Sequence, residues 1–389
     1  MSAAFIVSAR RTAVAPRGGA FRAVEAHDLA APVLRACLVD VSGAGFEVEH
    51  VILGNALSGG GNVARLAALA AGLPATVPAL TLDTQCCSGL DAIQLAARMV
   101  ESGAAELVLA GGVESFSRSP LRATRPREKG EEPVFYDRPP FTPWPVRDPD
   151  MIEVLARAAR GMSRAEQAAF AIESHRKALA ARERLEAEIV PVAGLGFDSF
   201  TRALTPRLCA RAPVIHGEGE NALDATGVAV EADAAAAVLV ASRQWVERRL
   251  HAGRPVSEVF YVRSFGGAPE DPPGAIDHAL RETAFETALV DIHNTDSDAR
   301  LEWSQIPVVE LMEASAGQAS RNCARAGLDP ARINRGGGAL ARGHPIGASG
   351  AILAVRLFHE MAGEPPDTLG LAAIAAAGGL ASVLMLQRV

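Results

Sequence analysis

Aromatic residues are scarce in this sequence: two tyrosines, three tryptophans and 13 phenylalanines amount to 5 % of 389 residues. The core must therefore be built from aliphatic side chains and alanine, within an ordinary globular balance of 49 % apolar and 21 % charged residues. Long runs of Lys and Arg are also missing, and the net charge is −7. A nucleic-acid-binding face needs a basic footprint, so that class is excluded. The five cysteines, Cys37, Cys86, Cys87, Cys209 and Cys323, are odd in number and scattered. They make neither a disulfide framework nor a zinc site, and no metal is expected. The opening residues meet Arg10 and Arg11 too early for a signal peptide's apolar region, which makes a reducing cytoplasm the expected setting. Leu369 to Gln387 carries no charge and approaches membrane-spanning length. It is mostly Ala and Gly around Gly378-Gly379, which predicts two buried strands and a glycine turn, not a membrane span.

The chain is long enough for two or three core-forming units. Phe5-Ile6-Val7 opens as a strand, and Leu29 to Leu38 has helical spacing. His50 to Gly54 is a short apolar run, and Val63 to Gly72 is a helix with glycine past its end. Leu80 to Leu82 is a strand leading into Cys86. Ser88 to Val100 is a helix and Glu106 to Gly112 a buried strand. Such alternation predicts a layered α/β domain. From Ser117 to Asp150 the chain turns rich in Pro, Arg and Glu and is expected to be an irregular surface excursion. Ser163-Arg164-Ala165-Glu166 is a capping box opening a helix to about Arg184. A buried strand follows over Ala236 to Ala241. The C-terminal part repeats the earlier plan: a turn at Gly343-His344-Pro345, then Ser349-Gly350, a helix, an apolar run and Gly378-Gly379.

Two residues in these repeats carry chemistry. Cys86 stands between a strand and a helix. The helix dipole and free N–H groups there are expected to lower its pKa, making a nucleophile for a thioester carbonyl. A small cysteine filling a tight helix start is the bland alternative, and it holds for Cys87. His344 sits in a glycine-rich turn fixed by Pro345. An imidazole there could accept the thiol proton, although a loop histidine bonded to backbone would look the same.

Taken together, Gln85-Cys86-Cys87-Ser88-Gly89-Leu90 and the Gly343-His344-Pro345 turn resemble the thiolase superfamily over almost the whole chain. Ser8 to Thr12, Gly54-Asn55-Ala56-Leu57, Ala110 to Ser115, Ser163 to Ala178 and Glu188 to Pro191 match the family in order and spacing. The resemblance implies a five-layer αβαβα fold from two duplicated halves. The first would span 1–117, completed by about 233–250, with an inserted loop domain at 118–232. The second would span 251–389. It also implies a homodimer or homotetramer. Cys86 would be the acyl-accepting nucleophile and His344 its base, with the N–H groups of Cys86 and Ala377 forming an oxyanion hole. The substrate would be a coenzyme A thioester, with no permanently bound cofactor.

Four positions depart from the family pattern; one of them, Ala377, replaces a glycine and keeps the N–H that serves the oxyanion. Met312 stands where an asparagine positions a water, within Met312-Glu313-Ala314-Ser315. Ala375 stands where a second cysteine moves the α-proton of the second acyl substrate. Ala229 stands where a serine lies in the segment touching coenzyme A. Neither a thioether nor a methyl can move a proton or orient water. The sequence thus predicts an acyltransferase that loads Cys86 from a CoA or carrier-protein thioester. The acyl group would then pass to a nucleophile or a decarboxylating donor. Two other readings stand beside it: a conventional β-ketothiolase with a substitute base, for which His293 is the candidate, and a non-catalytic binding subunit. Neither a membrane nor a nucleic acid is an expected partner.

Overall fold

The structure, a computed structural model, describes residues 3–41, 47–249, 255–290, 302–303 and 306–389. His293 lies outside the described residues. The chain opens with strand β1 (Ala4–Thr12), helix α1 (Ala26–Asp40) and strand β2 (His50–Gly54). Helix α2 (Val63–Ala70), strand β3 (Ala79–Leu82), helix α3 (Ser88–Glu101) and strand β4 (Leu107–Ser115) follow. Every residue of β4 is buried. A strand covered on both faces reads as one unbroken apolar run, which is why Leu107 to Val113 shows no alternation.

After Ser115 the chain leaves the sheet. It forms a small hairpin, β5 (Arg122–Thr124) with β6 (Val134–Tyr136), then helices α4 (Met151–Ala158) and α5 (Arg164–Ala180). The capping box on Ser163 and Glu166 is formed as the sequence predicts. The helix stops earlier than about Arg184, because Ala181 sits at φ −92° and ψ 0° and breaks it before a separate turn at Arg182–Leu185. The chain returns as β7 (Ala232–Ser242), antiparallel between β4 and β1.

The second half contains β8 (Ser257–Gly266), α6 (Pro272–Val290), β9 (Val308–Leu311) and α7 (Ala316–Ala326). It ends with α8 (Ile346–Met361), β10 (Leu369–Ala376) and β11 (Leu380–Arg388). The uncharged stretch at 369–387 is thus a buried hairpin whose turn holds Gly378 and Gly379 at φ 82° and 77°. Among the described residues no helix is long and apolar enough to cross a membrane.

The first leaf runs β3-β2-β4-β7-β1 and the second β9-β10-β11-β8. Helices α1 and α2 cover one outer face, and α6 and α7 cover the other. Between the leaves lie α3 and α8, packed on each other in the largest apolar cluster. The result is the five-layer αβαβα arrangement. Within it, α3-β4-β7 and α8-β10-β11 are equivalent units, the first interrupted by the excursion. One feature is not visible in sequence. Phe5 pairs with Glu258 and Ile6 with Ser257, joining the two leaves into one continuous ladder.

Glycine sets how closely α3 and α8 approach. A Cβ on Gly89 would stand 2.8 Å from the Gly347 carbonyl oxygen, and one on Gly350 2.7 Å from the Leu90 nitrogen. A Cβ on Gly112 would run into the same Gly347 oxygen. The seam is therefore backbone against backbone. It brings the N-terminal ends of the two central helices together.

Candidate active site

Cys86 lies in a single tight turn, Gln85–Cys87, immediately before α3. Gln85 takes φ 56°, a left-handed conformation that costs a non-glycine residue about 1 kcal/mol or more. Local hydrogen bonds hold it. The Gln85 N–H donates to the Asp83 carboxylate at 2.8 Å, and the Ser88 hydroxyl donates to the Gln85 carbonyl at 2.6 Å. The turn lifts Cys86 towards a cavity, while Cys87 points into the core with its sulfur 3.7 Å from the Ile374 carbonyl.

His344 comes from the equivalent turn before α8. Gly343, at φ 114°, reverses the chain, and the His344 N–H donates to the Val230 carbonyl at 2.7 Å. The His344 Nε2 lies 3.3 Å from the Cys86 sulfur, although 258 residues separate them. Its Nδ1 lies 2.6 Å from the Ser349 hydroxyl. A cavity of about 370 Å³ opens over this pair. Met312, Ala375, Ala377 and Ala229 all line it, so these four positions converge with Cys86 and His344 on one place. Leu57, Phe116, Phe141, Met151, Leu155 and Pro272 add apolar walls, several of them from the excursion.

The charge state of the thiol differs from the sequence expectation. Burial pushes the Cys86 thiol up to about 12, although N–H groups of Ala377 and of Cys86 itself point to the sulfur and pull the other way. The helix-end argument considers only the dipole; loss of water around the sulfur outweighs it. Burial likewise holds His344 down, to about 4. The resting pair is a neutral thiol facing a neutral imidazole, and the proton must move as the sulfur attacks. The sign for pH dependence follows. Only the unprotonated imidazole can act as base, so the acylation rate should hold its plateau well below the ordinary histidine pKa. It should fall about tenfold per unit only below pH ~4. A pH profile of kcat/KM with an acid limb near 6.5 would contradict this burial argument.

Two carboxylates near the site have positions the sequence does not give. Glu114, at the end of β4, is buried and accepts from the Asn55 side chain at 2.8 Å and the N–H groups of Ala56 at 3.1 Å, Leu57 at 3.2 Å and Gly347 at 2.9 Å. It ties a cavity wall to the start of α8. Burial raises it to about 7, opposed by those N–H groups. Glu313 is no proton-transfer group. It is 2 % exposed and sits outside the cavity, accepting from Ser174 at 2.7 Å, Asn334 at 2.6 Å and the Leu340 N–H at 3.2 Å. It is a clamp between strand and helix, holding α5 to the second half.

The positions expected to depart from the family pattern, Met312, Ala375 and Ala229, present only a thioether and methyl groups. Met312 is fixed by its N–H to the Ala373 carbonyl at 3.0 Å and presents only a thioether. Gln318, also in the wall, has its amide engaged by the Ala314 N–H and by Asn322. Ala229 is held by its N–H to the Ala314 carbonyl at 3.1 Å. Of the acids in the lining, Glu231 pairs with Arg17 at 2.8 Å and Asp137 is exposed. No group of three or more potential metal ligands occurs among the described residues.

A five-layer α/β fold with a cysteine and a histidine brought together at the seam of two repeats defines a class, the thiolase fold. Residues 4–244 match the family description "Thiolase, N-terminal domain" and residues 279–388 match "Thiolase, C-terminal domain". The chain belongs to the thiolase family. It is 34 % identical over 391 residues to the Bacillus subtilis (strain 168) protein named "Putative acetyl-CoA C-acetyltransferase YhfS", covering 99 % of each chain. It is 31 % identical over 407 residues to "Putative acetyl-CoA C-acetyltransferase VraB" of Staphylococcus aureus (strain MRSA252), covering all of both. Among solved structures it resembles the Bacillus anthracis acetyl-CoA acetyltransferase, with TM-score 0.87, 27 % identity and coverage of 100 % and 99 %. It also resembles the Acat5 thiolase of Ascaris suum in complex with coenzyme A, with TM-score 0.87, 28 % identity and full coverage of both chains.

Proposed function

We propose that this protein is a thiolase-like acyltransferase in which Cys86 carries the acyl group. The observation that supports it best is the 3.3 Å contact between the Cys86 sulfur and His344 Nε2, at the floor of a cavity whose other two family positions hold Met312 and Ala375. The sulfur attacks the thioester carbonyl while His344 takes the thiol proton. The N–H groups of Cys86 and Ala377, which point to the sulfur, are placed to hold the oxyanion. Collapse expels the donor thiolate, which receives the proton from His344. The neutral imidazole then deprotonates an acceptor (an amine, alcohol, thiol or water) as it attacks the acyl carbonyl carbon; collapse breaks the C–S bond, and the departing Cys86 thiolate takes the proton back from His344. A donor that loses CO₂ fits equally, since decarboxylation makes a carbanion without a base. Acyl-CoA is the expected donor, as the coenzyme A complex of the Ascaris neighbour suggests; a carrier-protein thioester is the other candidate.

The names of the relatives favour a second reading, a conventional acetyl-CoA C-acyltransferase with a substitute base. A non-catalytic binding subunit is the third. Intact-mass analysis after incubation with acyl-CoA or acyl-carrier thioesters separates them. An adduct on Cys86 without acetoacetyl-CoA is the expected result. Adduct with condensation supports the second reading, and no adduct from any donor in folded protein ends the first.

Organisation belongs to the same proposal: halves at 1–117 and 251–389 with an inserted loop domain at 118–232. Strand β3 closes one edge of the sheet and leaves Leu80 46 % exposed. An open edge with an apolar residue is a pairing surface, which suits the proposed homodimer or homotetramer.

A further inference from the structure

We infer that Ser349 is a positioning residue that locks His344 in the tautomer with its proton on Nδ1, leaving the Nε2 lone pair facing Cys86. The inference rests on His344 being the base of the proposed acyl transfer. It starts from the 2.6 Å contact between Nδ1 and the Ser349 hydroxyl. That contact alone is ambiguous, because a hydroxyl can donate or accept. The second partner decides. Ser349 stands in the first turn of α8, and its hydroxyl lies 3.2 Å from the Pro345 carbonyl oxygen. A carbonyl only accepts, so the hydroxyl proton is directed there. The oxygen that remains can only accept, and Nδ1 must donate to it.

The opposite arrangement is poorer. If Ser349 donated to Nδ1, Nε2 would carry the proton and point it at the Cys86 sulfur. Nε2 would then have no lone pair to take the thiol proton, and the ring would have to change tautomer before each attack. Ser349 is itself 4 % exposed and cannot exchange its partners for water.

The choice of a hydroxyl instead of a carboxylate has a chemical effect. A carboxylate in this position would both orient the ring and stabilise the imidazolium. Ser349 orients without adding charge. The ring therefore stays neutral between half-reactions, ready to take the proton of the acceptor as it took that of Cys86.

The test is direct. In folded protein labelled with ¹⁵N-histidine, the His344 resonances should report a protonated Nδ1 and a bare Nε2. Ser349→Ala should shift this balance towards Nε2–H and lower kcat/KM for acyl transfer about tenfold to a hundredfold. Ser349→Thr, which keeps the oxygen, should restore both. A wild-type protein with the proton on Nε2 overturns the inference whatever the variants do, and so does a Ser349→Ala protein with unchanged tautomer and rate. A wild-type Nδ1–H signal that Ser349→Ala abolishes, in a protein forming no acyl adduct, upholds the positioning and removes the acyl-transfer reading instead.

Discussion

Replacing Ala375 by cysteine and Met312 by asparagine in one chain should create condensation activity, raising acetoacetyl-CoA formation by about two to four powers of ten over the parent protein. The estimate counts only the usual worth of a positioned acid or base, about 10²–10⁴; an oxyanion water held by the asparagine would add to it. Both sites suit the exchange. Ala375 lies in the β10–β11 ladder opposite Ala381, and Met312 is fixed through its N–H to the Ala373 carbonyl. Their backbones are set by strand pairing, so the new side chains inherit a fixed place. Both line the cavity that holds Cys86. Spectrophotometry of the acetoacetyl-CoA enolate measures the gain. A folded double variant that still forms the Cys86 adduct but gains nothing would show that these two losses do not limit the parent reaction.

Cys86→Ala should abolish the acyl adduct and lower acyl transfer by at least about 10⁴-fold, as loss of a covalent nucleophile does where it works as part of a unit. His344→Ala should cost a similar factor, and the double variant should be no worse than either single one. That non-additivity is the signature of a pair sharing one proton. It follows from the 3.3 Å contact and from the neutral resting state of both groups. Intact mass and single-turnover rates read the two effects separately. If the losses simply multiplied, Cys86 and His344 would be acting independently, and the acyl-Cys86 mechanism would lose its base.

Much of the architecture could be read from the chain because the signals were local. The buried strands showed as aliphatic runs, the capping box on Ser163 marked its helix, and Gly378-Gly379 marked the final hairpin. Cys86 and His344 stand out through the resemblance of their two turns to one family; each turn alone also fits a structural role. What escaped depends on distance across the fold. The role of Ser349 needs the ring orientation and the Pro345 carbonyl together. Glu114 and Glu313 are both acids beside family motifs, and only their partners show them to be clamps. The pairing of Phe5 with Glu258 leaves no trace in either strand. The protonation of the thiol is hidden for a different reason: helix-end electrostatics can be read from sequence order, whereas the amount of water around a sulfur cannot.

The glycine seam between α3 and α8 has a mechanical meaning. Sulfur and imidazole hang from different repeats, and the glycines leave the two helix ends almost in backbone contact. Their separation is thus a gauge of how fully one half seats against the other. Prying the repeats apart by a single ångström would silence the chemistry while each half kept its own strands and helices, so reactivity here reports assembly of the whole chain before it reports anything else.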